Sequence, residues 1–451
     1  MKERIPPSLR QLAAALPYPL YVVGGSVRDY LAGHFELTAD WDLASPAPED
    51  AVEQAARACG WEVRAVYRNT GTVKLTDADG TGYEFTRFRS DRYVRGLHAP
   101  AAIEFTDDIV RDARRRDFCA NAVYYEVGTG TFCDPLGGIP DIRDRKLRTV
   151  APAEKVFGED GLRLARLARL AAQTGFAPDE ECLAGAAKHR ALIRDIAAER
   201  VFSELDQLLH ADRKAGGAWG PYRGLGILRD TGVLNEIMPE LAAGEGMAQR
   251  ADFHRYDVLE HSFRCVRYAT PEIRWAALLH DVGKPYCFMR DGNFHAHPEE
   301  GARLAEHILD RLKAPKKLTE RTKRLVALHM RDFDMKMKES KVRRDILEQY
   351  DLLPELFALR QADFSACKDD LSPAPGVVRW QGVLAKMRAE GVPFSLRELA
   401  VNGADLTALG IRGGRVGETL KDLLLYCAQD GARNTRAALL RHLKNMTKET
   451  P

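Results

Sequence analysis

Two aspartates one residue apart, Asp40-Trp41-Asp42, follow an apolar run that ends in a glycine pair, Tyr21-Val22-Val23-Gly24-Gly25-Ser26. Side chains two apart on a strand share a face, so Asp40 and Asp42 set two hard carboxylates side by side, a donor pair suited to Mg²⁺. The chemistry that needs such a pair is a two-metal displacement at phosphorus: one ion helps a hydroxyl attack an α-phosphate, the other neutralises the departing pyrophosphate. Glu84, in Thr81-Gly82-Tyr83-Glu84-Phe85, is the candidate third carboxylate. The Gly24-Gly25-Ser26 turn offers bare backbone N–H groups to an anion, and Arg28 adds a charge-assisted donor. Two other Asp-x-Asp pairs, Asp77/Asp79 and Asp332/Asp334, have turn composition or lack a nearby glycine cradle and are set aside.

Further along, Arg111 and Arg114-Arg115-Arg116 gather four planar donors in six residues, an arrangement that answers phosphates. Asp117 and Asn121 behind them are candidates to hydrogen-bond a ribose hydroxyl. Glu159-Asp160-Gly161-Leu162-Arg163 reads as a helix start on which Asp160 and Arg163 are neighbours at i,i+3, with Glu159 and Arg163 at i,i+4. An Asp acceptor beside an Arg donor matches the pairing edges of cytosine and adenine and mismatches those of guanine and uracil. Arg166 and Arg169 continue the stripe toward triphosphate, RNA backbone or solvent.

These residues need strands and helices to hold them. Residues 18–150 alternate short apolar runs with glycine-rich turns: TGTVKLTDADGTGYEFTRFR and FCANAVYYEVGTGTFCD both read as hairpins, giving an α+β head with a mixed sheet. After Pro152 apolar residues recur at spacings of three and four, and the rest reads as all α. Stretches near 216, 245 and 372 have loop composition. The expected division is a head over 1–150, a helical neck and body over 151–245, a third domain over 246–372 and a helical tail over 373–451.

At 451 residues a single small module is excluded. With Lys plus Arg 67 against Asp plus Glu 65, bulk charge does not drive nucleic-acid binding, so phosphate contacts must come from local clusters such as Lys313, Lys316, Lys317, Arg321, Lys323 and Arg324. Eight scattered cysteines without a CxxC pair fit reduced thiols, and no apolar run approaches the ~20 residues of a membrane span. A cytoplasmic protein without a membrane partner is expected; its oligomeric state is not legible.

With GGSVRD, DWDL, RRDFCANA and GEDGLRLARLARL in this order, the sequence resembles the bacterial class II CCA-adding tRNA nucleotidyltransferase and poly(A) polymerase family. The resemblance implies a nucleotidyltransferase head acting through Mg²⁺, a helical neck and body, and a tail gripping tRNA. The family's catalytic carboxylates fall on Asp40 and Asp42, its phosphate-contacting turn on Gly24, Gly25 and Arg28, its ribose-contacting motif on Arg116 and Asp117, and its base-reading pair on Asp160 and Arg163. Residues 88–105 correspond to the family's flexible loop, which goes with adding the terminal A as well as both Cs. The tail helix RNTRAALLRHLKNMTK would contact phosphates through Arg433, Arg436, Arg441 and Lys444. Where the family has RRDFTINA, this chain has RRDFCANA, so Cys119 replaces a hydroxyl.

A second constellation lies in the helical half. His261, His280-Asp281, His297, His329 and Asp363 follow an order similar to that of the HD metallophosphohydrolase ligands, with His295 and His254 as stand-ins for His297. Imidazole with carboxylate suits Mn²⁺, Fe²⁺, Co²⁺ or Ni²⁺, and Lys284 would hold the phosphate. The resemblance implies a phosphatase or cyclic phosphodiesterase acting on nucleotides or RNA ends. The expected activity is addition of C, C and A to tRNA from CTP and ATP. A poly(A) polymerase, and an HD phosphohydrolase whose head only binds RNA, stand as alternatives.

Overall fold

The computed structural model describes residues 1–34, 41–92 and 102–448, with side chains through 445. Asp40, and residues 93–101 of the expected flexible loop, lie outside the described residues.

The head is built on a seven-stranded mixed sheet. Its strands are β1 (Tyr21–Val23), β2 (Trp41–Ser45), β3 (Glu62–Tyr67), β4 (Thr72–Thr76) and β5 (Gly82–Arg87), followed, after the separate ribbon of β6 (Arg89–Arg92) and β7 (Ala102–Phe105), by β8 (Tyr124–Glu126) and β9 (Phe132–Cys133). The order across the sheet is β3-β4-β5-β2-β1-β8-β9. β2 and β5 run parallel, and their register sets Asp42 beside Glu84; β1 and β2 run antiparallel, setting Val23 beside Asp42. The hairpins expected at 70–89 and 118–134 form as β4-β5 and β8-β9, except that Cys119–Asn121 is a single 3₁₀ turn before the strand. Val23, Ala44, Phe88, Cys119 and Tyr124 are buried together against Val150 and Val156, a core that fixes the ends of β1 and β2.

Gly24 leaves β1 at φ +82°, ψ −140°, a region that essentially only glycine occupies. A Cβ there would lie 3.1 Å from Asp42 Oδ2, so glycine also lets the backbone approach the carboxylate. The helix Gly25–Leu31 follows directly, with Ser26 and Arg28 buried.

From Ala153 on the chain is almost entirely helical. The stretch near 216 corrects the sequence reading, because Gly220–Asp230 is a helix rather than a loop. A Cβ at Gly220 would fall 2.5 Å from the Ala172 carbonyl oxygen; its small residues serve close packing against the helix Leu162–Thr174. The chain separates into two compact units, Met1–Gly244 with His307–Lys316, and Glu245–Glu306 with Lys317–Pro451. The second unit contains only helices and loops among the described residues. One of its cores packs Val342, Ile346 and Leu353 around Trp380 and Met387. No described helix is long and apolar enough to cross a membrane.

Candidate nucleotidyl-transfer site and HD centre

A cavity of about 420 Å³ opens in the first unit at the end of β1. Gly24, Gly25, Ser26, Arg28, Asp42, Arg116, Asp117, Asn121, Asp160, Arg163 and Arg166 all border it, so residues spread over 143 positions of sequence meet around one cavity. Asp42 is exposed there, a hard oxygen donor on the strand edge, and Glu84 is its neighbour on β5. Glu84 does not border the cavity; its carboxylate lies 3.6 Å from Lys74 Nζ. Cationic side chains outnumber carboxylates around the cavity, as a triphosphate requires.

A chain of hydrogen bonds orders the floor. Arg28, 7% exposed, donates from Nη1 to Asn121 Oδ1 at 2.7 Å and from Nε to Asp29 at 2.8 Å. Asn121 Nδ2 donates to Asp117 Oδ1 at 3.1 Å, and Arg166 donates to Asp117 Oδ2 through Nε and Nη2 at 2.9 and 2.7 Å. Arg116 is aimed by Tyr124, whose hydroxyl accepts from its Nε at 3.0 Å, and by fully buried Asp112 at 3.1 Å. Burial alone would push the Asp117 carboxyl up, but Arg166, Asn121 and the Phe118 N–H outweigh it and hold it well below the usual carboxylate range.

That shift carries a testable pH dependence. A carboxylate with a lowered folded-state value stabilises above the unfolded value near pH 4 and loses that contribution as pH falls below it. Arg166 is more than a third exposed, so solvent screening reduces the pair to about 1–2 kcal/mol. Asp117→Asn is therefore expected to lower the urea midpoint at pH 7 and to narrow its gap to the wild type between about pH 4 and pH 2. A gap constant through that range would show that the pair does not stabilise the fold.

The base-reading candidates are placed differently from the sequence expectation. Asp160 is not on the helix: it occupies the break between Ala153–Glu159 and Leu162–Thr174, where its Oδ1 accepts from the Leu162 N–H at 2.9 Å. Arg163, 5% exposed, donates to the Val156 carbonyl at 2.9 Å, the Arg115 carbonyl at 2.8 Å and Glu159 at 3.3 Å. The expected Glu159 pair is present, and two backbone carbonyls from different segments aim the guanidinium. Arg169 turns to Glu204 and Gln173. Cys119 is buried away from the cavity, donating from Sγ to the Thr149 carbonyl, with its thiol pushed up to about 11 by burial. Of the surface cations expected to meet phosphate, Arg321, Lys323, Arg324 and Arg436 pair with Glu355, Glu306, Asp351 and Asp405.

In the second unit, the six residues of the second constellation converge although they span 103 positions. His261, His280 and Asp363 form one triad, and Asp281, His297 and His329 another, each with donor atoms within 4.8 Å of one another. Asp281 joins them: Oδ2 lies 3.2 Å from His280 Nε2 and 3.5 Å from His261 Nε2, while Oδ1 lies 3.3 Å from His297 and 3.7 Å from His329. The Nδ1 atoms of His280, His297 and His329 stand 2.7–2.8 Å from the carbonyls of Ala277, Phe294 and Val326, which directs each Nε2 inward. Burial disfavours the Asp281 charge, yet His280 and Lys284 hold its carboxyl well below the usual range, in the ionised form a ligand needs. Four imidazoles and two carboxylates, one of them Asp281 between the two triads, fit a pair of divalent ions. Lys284 Nζ sits 2.6 Å from both Asp281 Oδ2 and Gln249 Oε1. His295 stands outside both triads, while His254 forms a third group with His261 and Cys367 and is pushed down to about 4 by burial and by Lys284. Cys367 and Gln249 were missed in the sequence; Cys367 follows Asp363 by one helical turn, which is the signal that could have found it.

Residues 20–148 match the poly A polymerase head domain, 175–244 a probable RNA and SrmB-binding site of polymerase A, and 258–363 the HD domain. An A-adding tRNA nucleotidyltransferase of Deinococcus radiodurans is 31% identical over 436 residues, 90% of this chain and 91% of the relative. The chain belongs to the class II CCA-adding and poly(A) polymerase family and carries an HD domain. Another family member, a multifunctional CCA protein of Azoarcus sp., is 30% identical over 82% of this chain and 89% of its own length. The Bacillus stearothermophilus CCA-adding enzyme, solved in complex with CTP, shares the family fold, with a TM-score of 0.67 at 24% identity over 98% of this chain and 100% of that one. The head-domain match covers Gly24, Arg28, Asp42, Arg116, Asp117 and Asn121 on the cavity, and the HD match spans all six residues of the cluster described above.

Proposed function

We propose that this tRNA nucleotidyltransferase builds the whole CCA end, transferring CMP and then AMP from CTP and ATP to the tRNA 3′ hydroxyl without a nucleic-acid template. The observation that carries this reading is Arg163, immobilised by the Val156 and Arg115 carbonyls beside Asp160 on the cavity wall. An acceptor and a fixed donor fit the amino group and ring nitrogen shared by cytosine and adenine, whereas guanine and uracil would leave both unpaired. Asp40 and Asp42, with Glu84 as the candidate third carboxylate, would hold Mg²⁺, which supplies Lewis acidity to the attacking hydroxyl and the departing pyrophosphate. The chain's own residues then divide the work. Gly24, Gly25, Ser26 and Arg28 cradle the triphosphate, Arg116 and Asp117 with Asn121 orient the ribose, and Arg166 holds Asp117 in place. The four domains bounded near 150, 245 and 372 are part of this reading.

A second reading is addition of the terminal A alone, favoured by the name of the Deinococcus radiodurans relative. Incorporation assayed with each nucleoside triphosphate separately, on tRNA truncated at successive 3′ positions, separates the two. CMP incorporation onto tRNA lacking all three residues is the expected result. AMP incorporation only onto tRNA ending in CC would replace CCA synthesis by A-addition, and ATP-only extension of varied RNAs would mark a poly(A) polymerase.

For the HD centre, we infer a phosphohydrolase for nucleotides or RNA ends, using Mn²⁺, Fe²⁺, Co²⁺ or Ni²⁺ held by His261, His280, Asp281, His297, His329 and Asp363, with Lys284 on the phosphate. The bridging position of Asp281 supports this reading.

A further inference from the structure

Beside the HD cluster runs a second cavity, of about 1640 Å³, larger than the roughly 300–1,000 Å³ of a small-ligand site. Arg360 stands on its wall, one helical turn before Asp363 on the helix Leu353–Lys368. This side chain is 7% exposed, and its Nη1, shut off from solvent, meets no hydrogen-bond acceptor among the described residues. A buried guanidinium without an acceptor is costly. Its Cζ lies 5.3 Å from the Trp380 ring centre, which fixes its position but accepts no conventional hydrogen bond. The nearby carboxylates are engaged elsewhere: Asp332 accepts from Trp380 Nε1, Arg379 and the Met337 N–H, and Asp363 faces His261.

On the other side of the guanidinium begins the 15-residue helix Pro375–Ala389. Ala374 precedes it and offers no side-chain cap; Pro375 has no N–H, the Ala374 N–H donates to Gln361 Oε1 and the Val377 N–H to the Ala374 carbonyl, which leaves the Gly376 N–H as the open donor of the first turn. A Cβ on Gly376 would lie 2.6 Å from Arg360 Nη2, so the guanidinium is set against that turn because position 376 is glycine. An uncapped helix start and an unpaired guanidinium thus converge on one cavity, the chemistry of a phosphoryl site.

We propose that Arg360 and the first turn of Pro375–Ala389 bind a second phosphoryl group of the HD substrate, one internucleotide link from the phosphoester at the metal ligands. The substrate class is then an RNA end of two or more nucleotides rather than a free mononucleotide. The inference rests on the phosphohydrolase reading of the HD centre. Lys284 already serves the first phosphate, and the exposed rings of Phe253 and Phe333 on the same cavity offer faces on which bases can stack.

The test compares Mn²⁺-supported hydrolysis of a dinucleotide and of a mononucleoside, each ending in a 2′,3′-cyclic phosphate, by the full chain and by Arg360→Gln and Gly376→Ala. Arg360→Gln is expected to lower kcat/KM for the dinucleotide at least about tenfold, through KM, and to change the mononucleotide less than about twofold. Gly376→Ala, whose methyl displaces only the flexible end of Arg360, should act in the same sense with the thermal midpoint retained, and it decides the matter if Arg360→Gln unfolds. Equal losses on both substrates, or no loss on either, overturn the proposal. Hydrolysis of neither substrate by the wild type defeats the phosphohydrolase reading instead. Binding of the same dinucleotide in chelator then judges the subsite: about tenfold weaker in the variant if it stands, unchanged if it falls.

Discussion

Asp42→Ala is expected to reduce nucleotide incorporation into tRNA by about 10³-fold or more while phosphoester hydrolysis at the HD centre continues. Asp42 is exposed on the cavity wall, so its loss is expected to leave the sheet intact. On the function proposed above, what disappears would be a metal-ligating oxygen that stabilises charge developing only in the transition state, worth several kcal/mol, and ~4 kcal/mol corresponds to a factor of about 10³. The position of Gly24 makes the effect specific, because the backbone proposed to cradle the phosphates lies against the Asp42 carboxylate. Steady-state incorporation of CMP and AMP, with circular dichroism confirming the fold, checks it. Retention of more than a tenth of wild-type turnover would remove the head as the catalytic centre and leave an RNA-binding module.

The complementary result is expected from Asp281. Its two oxygens face two different pairs of histidines, so Asp281→Ala removes one member of the second triad and the carboxylate that links it to the first. Metal content in the second unit should fall, and hydrolysis should drop about 10³-fold, with tRNA nucleotide addition preserved. Removing one member of a buried charged cluster also costs about 3–5 kcal/mol, because Lys284 loses its counter-charge. Asp281→Asn keeps the volume and separates the effects: a thermal midpoint near that of the wild type with hydrolysis still lost assigns the loss to chemistry. Bound metal, measured by elemental analysis, is the readout that a purely structural role would leave unmoved. Loss of nucleotide addition in the same variant would argue against two independent centres.

The candidate site was legible to the extent that its logic is local. A strand, a glycine turn, a helix start and an Asp-x-Asp pair occupy one continuous stretch, and period-two alternation decides that Asp42 and its strand neighbours alternate between faces. The HD ligands were legible for a different reason: a lone histidine on an apolar helix is usually only packed, and it was the resemblance of the whole ordered set, His261, His280-Asp281, His297, His329 and Asp363, to the HD ligand order that singled them out. Loop composition near 216 misled because small residues serve close helix packing as readily as turns, and only the Ala172 carbonyl beside Gly220 distinguishes the two.

By itself, then, the amino-acid sequence determined which residue types were available for chemistry and the α+β-then-helical order of the fold, since local periodicity and motif order need no partner. The tertiary structure alone decided how those residues are aimed. Arg163 is fixed by carbonyls of Val156 and Arg115, Asp117 is committed to Arg166 and Asn121, Asp281 bridges two triads, and Arg360 is pressed against a helix start without an acceptor. Each of these joins segments distant along the chain, and a contact between distant segments exists only once the packing that closes the intervening loops has formed.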